Sequence, residues 1–268
     1  AASQQHIYAV GHTNDGSNHL TLKKFTPDKT EVFSNTLSQP SDGNAIEIDS
    51  DNNIYVAGRS YRSSPAVHDF RWIIKKYSTD GSEIITGWNK SLDFGPEQHG
   101  VRDIALDSQD NLYVLGYTNM NNVLGENAGK TTLQKYDSSG NLIWENDYNY
   151  TANRDLPQVI AIDNNDNIYF SMILDNGSKR SYLTKVRSDG TFVWKKEYDI
   201  YFNTLQALDD SILTGGAHIT QSQAWIKRIY TNGSVDPNWD FAFDTARALE
   251  DIKIISGEVI GAGWETCE

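Results

Sequence analysis

The chain of 268 residues is 38% apolar and 22% charged, and it carries a formal net charge of −13. This composition is typical of a folded globular protein and excludes an intrinsically disordered chain. The acidic excess argues against a nucleic-acid partner, because phosphate binding needs clustered lysine and arginine.

The ends of the sequence and its apolar content add three expectations. No apolar run reaches the length of a membrane-spanning helix, so no transmembrane segment is expected. The opening residues AASQQ are typical of what remains after signal-peptide cleavage, although an arbitrary boundary explains them equally well. Cys267 is the single cysteine, so we expect a free thiol, with a disulfide-linked dimer as the alternative.

A hairpin phrase recurs along the chain. Each copy consists of a short apolar strand, a polar turn and a second apolar strand. Asp and Asn favour such turns because their side chains bond to nearby backbone groups and tolerate left-handed conformations. The copies are NAIEIDSDNNIYVAG (44–58), RDIALDSQDNLYVLG (102–116), QVIAIDNNDNIYFSM (158–172), TLQALDDSILTGG (204–216) and DIKIISGEVIGAG (251–263).

Two further strands accompany most copies of the phrase. Both are bounded by polar turns of the kind that connects hairpins. The third strands are LTLKKFT (20–26), WIIKKYS (72–78), TTLQKYD (131–137), SYLTKVR (181–187) and WIKRIYT (225–231). The fourth strands are EVFSNTL (31–37), EIITGW (83–88), NLIWENDY (141–148), TFVWKKEY (191–198) and VDPNWDF (235–241).

Four antiparallel strands that repeat every 44 to 58 residues have the spacing of β-propeller blades. The sequence therefore predicts an all-β fold, a β-propeller of four-stranded antiparallel blades that residues 1–268 form as a single domain. An eight-stranded barrel would not repeat a four-strand phrase. Five blades are favoured over six, with N- and C-terminal strands closing one blade. Either residues 6–11 or residues 258–264 would then be a redundant second strand.

The pattern D-x-x-D-N-[IL]-Y-V-x-G, followed by K-[YF] and D-G-x-x-x-W, resembles a bacterial β-propeller repeat known as SBBP. It is similar more loosely to NHL-type repeats. The resemblance covers most of residues 41–200 and weakens from residue 201 onward. It implies a propeller fold and a secreted, periplasmic or cell-surface bacterial protein, but no particular activity.

Residues that recur in every unit are expected to serve the fold. The turn aspartates are not accompanied by the glycine and bidentate glutamate of a calcium loop, so no metal is expected. The third-strand cations are expected to form exposed ion pairs with them, worth ~0–1 kcal/mol each. The fourth-strand tryptophans are expected to pack between blades. These residues are Asp49, Asp107, Asp163 and Asp209; Lys24, Lys76, Lys135, Lys185 and Arg228; and Trp88, Trp144, Trp194 and Trp239.

Function is expected where the units differ. The loops from second to third strands, and from fourth strands to the next unit, vary in length and open at the end opposite the polar turns. Unlike loops on a rigid scaffold are typical of a binding surface. These loops are residues 12–19, 59–70, 117–130, 174–181 and 217–224, together with 93–102, 149–156 and 199–203.

Aromatic and polar residues at these loops predict a ligand site. Aromatic faces flanked by polar groups suit sugar rings, whose C–H groups stack while their hydroxyls take hydrogen bonds. We therefore expect a non-enzymatic protein that binds carbohydrate or a glycosylated cell surface, as a lectin or adhesin does, with a protein partner as the alternative. The tyrosines of this site are expected to be replaceable without loss of stability. The candidate ligand-binding residues are Arg59, Tyr117, Arg102, Tyr150, Tyr201 and His218.

Catalysis on a polysaccharide, by hydrolysis or elimination, is a further alternative. Carboxylates near the variable loops could pair as acid and base, and histidines could move a proton. No spacing singles out a pair, and nucleophile-elbow, P-loop, dinucleotide and zinc signatures are absent from the sequence. We expect no catalytic residue and no cofactor. The side chains considered are Asp93, Glu97, Asp155, Asp175 and Asp199, with His12, His99 and His218.

Overall fold

The computed structural model describes residues 2–3, 6–14, 17–61, 70–95, 98–120, 129–149, 154–175, 180–219, 223–243, 248–255 and 258–264. Within these ranges every regular element is a β-strand and no helix occurs, as the short apolar strands and polar turns of the sequence predict. Contacts between residues divide the chain into two units, Ala1–Ala152 and Asn153–Glu268.

The first unit contains three antiparallel sheets whose strands pair in chain order. The first sheet consists of β1 (Ala2–Ser3), β2 (His6–Asn14), β3 (Asn18–Phe25) and β4 (Glu31–Thr36). The second sheet consists of β5 (Ser41–Ile48), β6 (Ile54–Tyr61), β7 (Phe70–Tyr77) and β8 (Lys90–Leu92). The third sheet consists of β9 (Gln98–Leu106), β10 (Leu112–Met120), β11 (Lys130–Tyr136) and β12 (Leu142–Tyr148).

The second unit continues the pattern with two four-stranded sheets and one of two strands. The fourth sheet consists of β13 (Arg154–Ile162), β14 (Ile168–Asp175), β15 (Arg180–Val186) and β16 (Phe192–Tyr198). The fifth consists of β17 (Ile200–Ala207), β18 (Ser211–His218), β19 (Ala224–Tyr230) and β20 (Val235–Phe243). The sixth consists of β21 (Ala248–Ile255) and β22 (Glu258–Trp264). The all-β fold is confirmed, and the number of blades stays a prediction.

Each four-stranded sheet has two unlike ends. Consecutive antiparallel pairing brings the connection between first and second strands to the same end as that between third and fourth strands. We call this the turn end, and the opposite end, where second strands lead to third strands, the variable end. The polar turns of the sequence therefore lie at the turn end of each sheet, as expected.

The recurring phrase D-x-x-[ND]-N describes a turn held by its aspartate. Asp49 Oδ1 accepts the backbone N–H of Asp51 at 3.1 Å and that of Asn53 at 2.7 Å. The Asn53 side-chain amide donates to the other Asp49 oxygen at 3.0 Å. Asn52 has a φ of 64°, in the left-handed region that Asn tolerates better than most residues. The aspartate, the residue in the left-handed region and the final asparagine of the phrase therefore each have a separate role in the turn.

The same aspartates pair with the third-strand cations in the second and third sheets. Lys76 Nζ lies 3.0 Å from Asp49 Oδ2, and Lys135 Nζ lies 3.1 Å from Asp107 Oδ2. These four side chains are at most 10% exposed, so the expectation of exposed pairs is wrong. The ring of Tyr55, 4.6 Å from Lys76 Nζ, helps to exclude water. Removing one partner of a buried pair typically costs about 3–5 kcal/mol.

Two of the other expected pairs form differently. Lys24 donates to the backbone oxygen of Thr79 at 2.6 Å, because no turn aspartate precedes the second strand of the first sheet. Arg228 pairs with Asp210 at 2.9 Å rather than with the neighbouring Asp209. The third-strand cation therefore contacts an oxygen in each of these sheets, but the local turn determines which residue supplies that oxygen.

Two of the four tryptophans near the fourth strands, Trp88 and Trp194, join neighbouring sheets by hydrogen bonds, as the sequence predicts. Trp88 is 1% exposed and donates its indole N–H to the backbone oxygen of Ser138, in the turn of the third sheet. Trp194 donates in the same way to Thr231 in the turn of the fifth sheet at 3.0 Å. Trp144 and Trp239 are half-buried.

A β-bulge interrupts the first strand of several sheets at the same place. Pairing shifts between Gly43 and Ala45 on β5, which leaves Asn44 without an opposite residue on β6. On β9 the shift leaves Arg102 unpaired, and on β17 it leaves Asn203 unpaired. A bulge re-aims the side chain of the extra residue. The first strands therefore share a device that turns one residue out of the ladder.

The repeated glycine of the second strand makes room for this bulge. A Cβ on Gly58 would lie 1.9 Å from the backbone oxygen of Asp42, and one on Gly116 would lie 2.6 Å from that of Gly100. Real atoms do not approach so closely, so any side chain would displace the first strand. The equivalent Gly11 has no atom within 4 Å of its Cβ position.

Gly58→Ala is expected to destabilise the folded protein by ~1–3 kcal/mol, because the added methyl group overlaps the Asp42 carbonyl. Gly11→Ala is the matched control and should leave the free energy of unfolding nearly unchanged. Urea unfolding followed by tryptophan fluorescence measures both. Equal effects of the two substitutions would contradict the role assigned to the bulge.

Candidate functional site

The residue after the repeated glycine lies toward the variable end of each second strand. In the first unit this residue is His12 on β2, Arg59 on β6 and Tyr117 on β10. In the second and third sheets the bulge and the glycine fix the backbone here, but they do not restrict the next side chain. These two sheets consequently have the same geometry and different chemistry at this position.

Five side chains form a connected row across the three sheets of the first unit. His12 Nδ1 lies 3.8 Å from Asp42 Oδ1, and Arg59 Nε donates to Asp42 Oδ2 at 2.9 Å. Arg59 Nη1 donates to the Tyr117 hydroxyl at 3.3 Å. The Arg102 guanidinium lies 5.5 Å from the centre of the Tyr117 ring. We call His12, Asp42, Arg59, Tyr117 and Arg102 the polar row.

Asp42 holds the polar row together. It is 5% exposed and also accepts hydrogen bonds from the Asn18 amide and the Tyr61 hydroxyl, both at 2.8 Å. Burial alone raises the pKa of Asp42, but the hydrogen bonds from Arg59, Asn18 and Tyr61 and the charge of Arg59 outweigh it and lower the pKa overall. Asp42 is therefore a carboxylate at neutral pH, with donors on both oxygens.

Arg59 is held on three sides. Besides its bonds to Asp42 and Tyr117, its guanidinium lies 4.8 Å from the centre of the Phe70 ring. Burial alone lowers the pKa of Arg59, but Tyr117 and Asp42 raise it overall, so the group stays cationic. Its side chain is still 31% exposed. The result is a fixed guanidinium with one side open to a ligand.

Tyr117 is part of the core, which the sequence did not predict. It is 4% exposed, and its backbone oxygen accepts the indole N–H of Trp72 at 3.0 Å. Its hydroxyl lies 2.6 Å from the position that a Cβ on Gly100 would take. Tyr117 therefore has no open ring face for a ligand, and its burial leads us to expect that its replacement reduces stability.

Arg102, like His12, is an exposed member of the polar row. It is the bulge residue of β9, so its side chain leaves the strand ladder and lies against the Tyr117 ring. Among the described residues Arg102 forms no ion pair, so its charge is available to a ligand. The structure thus brings together three of the six candidates, namely Arg59, Tyr117 and Arg102.

Asp42, and Asn18 bonded to it, belong to the candidate site and were missed by the sequence analysis. Asp42 precedes the repeated phrase, where SDG has the composition of an ordinary loop. The signal that could have revealed Asp42 was its position in the sheet. An acidic side chain begins the first strand of the second sheet, directly opposite Arg59, at a place where the third sheet has Gly100.

The remaining candidates lie in the second unit or outside the described residues. Tyr201 pairs with Ala217, and His218 pairs with Ile200. Because neighbouring strand positions face opposite sides of a sheet, Tyr201 and His218 lie on opposite faces and do not form one site. Tyr150 lies outside the described residues, as do the central parts of the five loops that join second to third strands.

His218 lies in a cleft of about 900 Å³ in the second unit. Its Nε2 is 3.6 Å from Asp199 Oδ2, and its ring packs 5.5 Å from that of Trp225. Lys227, 4% exposed, lies against the same two residues, 3.3 Å from Asp199 and 4.3 Å from the Trp225 ring. The cleft carries both charges in equal measure, since Glu197, Asp199 and Asp240 face Arg180, Lys196 and Lys227.

The groups considered for catalysis are mostly engaged elsewhere. Asp93 pairs with Arg71 at 3.4 Å, and Asp155 is 1% exposed. His99 is fully buried; its Nδ1 accepts the backbone N–H of Asn119 at 3.0 Å, so Nε2 carries the proton that Gly95 accepts. The side chains of Glu97 and Asp175 lie outside the described part of the chain.

The described residues contain neither a metal-binding cluster nor a membrane-spanning helix. In these ranges no three His, Cys, Asp or Glu side chains gather closely enough to hold a metal ion. No helix there is long and apolar enough to cross a membrane.

Asp42→Asn should reduce the free energy of unfolding at pH 7 by ~1–3 kcal/mol, because charged hydrogen bonds become neutral ones. The folded-state pKa of Asp42 lies below its ordinary value of 3.8, so its stabilising effect is present above pH 3.8. That effect is lost as the pH falls through the folded pKa. Urea unfolding should therefore show the difference between wild type and variant narrowing below pH 3.8.

The exposed Asp51→Asn serves as the control and should show little effect at any pH. A difference for Asp42→Asn that stays constant from neutral to strongly acidic pH would contradict the assigned ionisation.

Comparison with known proteins identifies the fold. No family model matches the chain, and no curated protein matches it. A Bacteroides caccae protein of unknown function aligns with a TM-score of 0.60 and 13% identity, over 98% of this chain and 84% of its own. Streptogramin B lyase aligns with a TM-score of 0.58 and 13% identity, over 99% of this chain and 83% of its own.

The β-propeller domain of the Trilobed protease from Pyrococcus furiosus aligns with a TM-score of 0.59 and 12% identity, over 99% of this chain and 77% of that domain's chain. At such identities the likeness concerns the fold alone. Membership of the SBBP or NHL repeats therefore stays a prediction. The chain is an all-β protein whose described residues form mostly four-stranded antiparallel sheets, and it is similar in fold to β-propeller proteins.

Proposed function

We propose that the chain is a non-enzymatic propeller that binds carbohydrate or a glycosylated surface at the variable end of its first unit. The observation that carries this proposal is the polar row. It combines the buried carboxylate of Asp42, whose oxygens already accept hydrogen bonds, with the fixed guanidinium of Arg59 and the exposed guanidinium of Arg102. These groups stand at positions where the repeated sheets differ in sequence. Repeated structure with unrepeated polar side chains is typical of a binding surface.

The chemistry of the polar row favours binding over catalysis. Both oxygens of Asp42 already accept hydrogen bonds from fixed donors, so this carboxylate has little capacity to take a proton from a substrate. Its lowered pKa also makes it a poor acid at neutral pH. His99, a fully buried histidine of the same unit, uses both ring nitrogens in hydrogen bonds to the backbone.

A sugar suits the donors that the polar row presents. Sugar hydroxyl groups accept hydrogen bonds from guanidinium N–H groups, and they can either donate to or accept from a tyrosine hydroxyl. Arg59, Arg102 and Tyr117 supply these groups at one place. Tyr61, half-buried beside Arg59, supplies an aromatic ring in place of the buried Tyr117. A few fixed polar groups beside an aromatic ring are the usual composition of a small-ligand site.

A protein partner is the second candidate. The outer strands carry exposed apolar side chains that the core does not use. Leu142 and Ile143 on β12 are 52% and 51% exposed, and Phe192 on β16 is 52% exposed. Exposed apolar side chains such as these are available to a protein partner.

Finer features of the architecture belong to the same proposal. We retain five blades, with strands from the two termini completing one of them, and a secreted, periplasmic or cell-surface location. The open space at Gly11 supports the incomplete blade. Its counterparts Gly58 and Gly116 each face a first-strand carbonyl, whereas nothing described in the first sheet occupies that place.

Arg102→Ala should weaken carbohydrate binding by about tenfold or more, because a charge-assisted hydrogen bond is worth ~1.5–3 kcal/mol. Its melting temperature should change little, since Arg102 is exposed. A glycan array selects the probes, and isothermal titration calorimetry measures their dissociation constants. Arg187→Ala, at an exposed arginine of the turn end, is the matched control and should bind as the wild type does.

Two outcomes would contradict the proposal. If the arrayed glycans all fail to bind, the carbohydrate function is wrong and the protein partner takes its place. If bound polysaccharides are instead cleaved, and replacing one carboxylate abolishes the cleavage, the chain is an enzyme.

A further inference from the structure

We propose that the ligand of the polar row is an acidic carbohydrate, whose carboxylate or sulfate group lies between Arg59 and Arg102. This inference rests on the proposed function and specifies the class of its ligand. It follows from the number of unused donors in the polar row and from the balance of charge around them.

Arg59 has donors left after its internal bonds are made. A guanidinium carries five N–H groups. In the described residues one of them is given to Asp42 and one to Tyr117. The remaining three include the whole Nη2 amino group. Because Asp42, Tyr117 and Phe70 hold the side chain, little conformational entropy is lost when a ligand takes these donors.

Tyr117 links the two arginines and adds a donor of its own. Its hydroxyl oxygen accepts from Arg59, while Arg102 lies over its ring. A hydroxyl that accepts a hydrogen bond can still donate its own hydrogen. No bond from this hydroxyl to an acceptor is present among the described residues. An anionic group near the hydroxyl would therefore meet donors from three side chains.

Asp42, Arg59 and Arg102 of the polar row together carry a positive charge, although the chain as a whole carries −13. Asp42 is the one acidic side chain that contacts either arginine in the described ranges, and it balances Arg59 alone. No acidic side chain among the described residues compensates Arg102. An anion at this place completes the charge balance, whereas a neutral sugar leaves Arg102 without a counter-charge. Guanidinium groups also match the planar geometry of carboxylate and the oxygens of sulfate.

The test compares ligands that differ only in charge. Oligogalacturonate and its fully methyl-esterified form supply the carboxylate pair, and a sulfated oligosaccharide and its desulfated form supply the sulfate pair. Calorimetry on the wild-type protein at low salt should show that, in one of the two pairs, the acidic oligosaccharide binds about tenfold to a hundredfold more tightly than its neutral counterpart.

Variants assign the preference to the polar row. Arg102→Gln should remove most of the acid preference, Arg102→Lys should retain part of it, and Arg187→Gln should retain all of it. Added salt should reduce the wild-type affinity for the acidic member only. This preference, unlike overall affinity, is insensitive to a small loss of folded protein.

The outcomes separate this inference from the function on which it rests. Equal affinity for acidic and neutral members, still weakened by Arg102→Ala, overturns the acidic ligand and keeps the carbohydrate function. An acid preference that survives in Arg102→Gln also overturns the inference. Failure of every oligosaccharide to bind overturns both.

Discussion

A backbone oxygen of the first strand occupies the place where a side chain of the second strand would begin, and glycine alone leaves room for it. This contact recurs at Gly58 and Gly116, and it accompanies a bulge that turns one first-strand residue out of the ladder. In the second sheet that residue, Asn44, donates to the backbone oxygen of Val101 in the third sheet at 2.8 Å. In the third sheet the same position is Arg102. The same bulge therefore supplies a contact between sheets at Asn44 and an exposed cation at Arg102.

In the proposed function, the turn end of the sheets serves stability and the variable end serves recognition. At the turn end, the buried Lys76–Asp49 pair ties a turn to the third strand of its own sheet, and the indole of Trp88 donates to a turn of the next sheet. Few substitutions are tolerable there, because each removes a partner from a buried charge or donor. At the variable end, the side chain after the glycine is not restricted by the bulge, and His12, Arg59 and Tyr117 occupy it. A scaffold made of repeats can thus change its ligand without changing its fold.

Repeated features could be predicted from the sequence, because each copy gives independent support. Strand order, the turn aspartates and the inter-sheet role of Trp88 follow from periodicity and turn chemistry. Features that depend on one contact between sheets could not be predicted. Asp42 lies in a polar segment, and only its position opposite Arg59 reveals its role. The burial of Tyr117 under Trp72 arises between two sheets, and strand register separates Tyr201 from His218.

The central claim is that a ligand contacts Arg59 and Arg102 at the variable end. The most direct measurement is a titration of the arginine Nε–Hε resonances, assigned by substitution, with the tightest-binding acidic oligosaccharide. The account predicts that the Arg59 and Arg102 resonances shift with one dissociation constant, while those of Arg187 and Arg228 near turn ends stay in place. Shifts confined to Arg187 or Arg228 would contradict it.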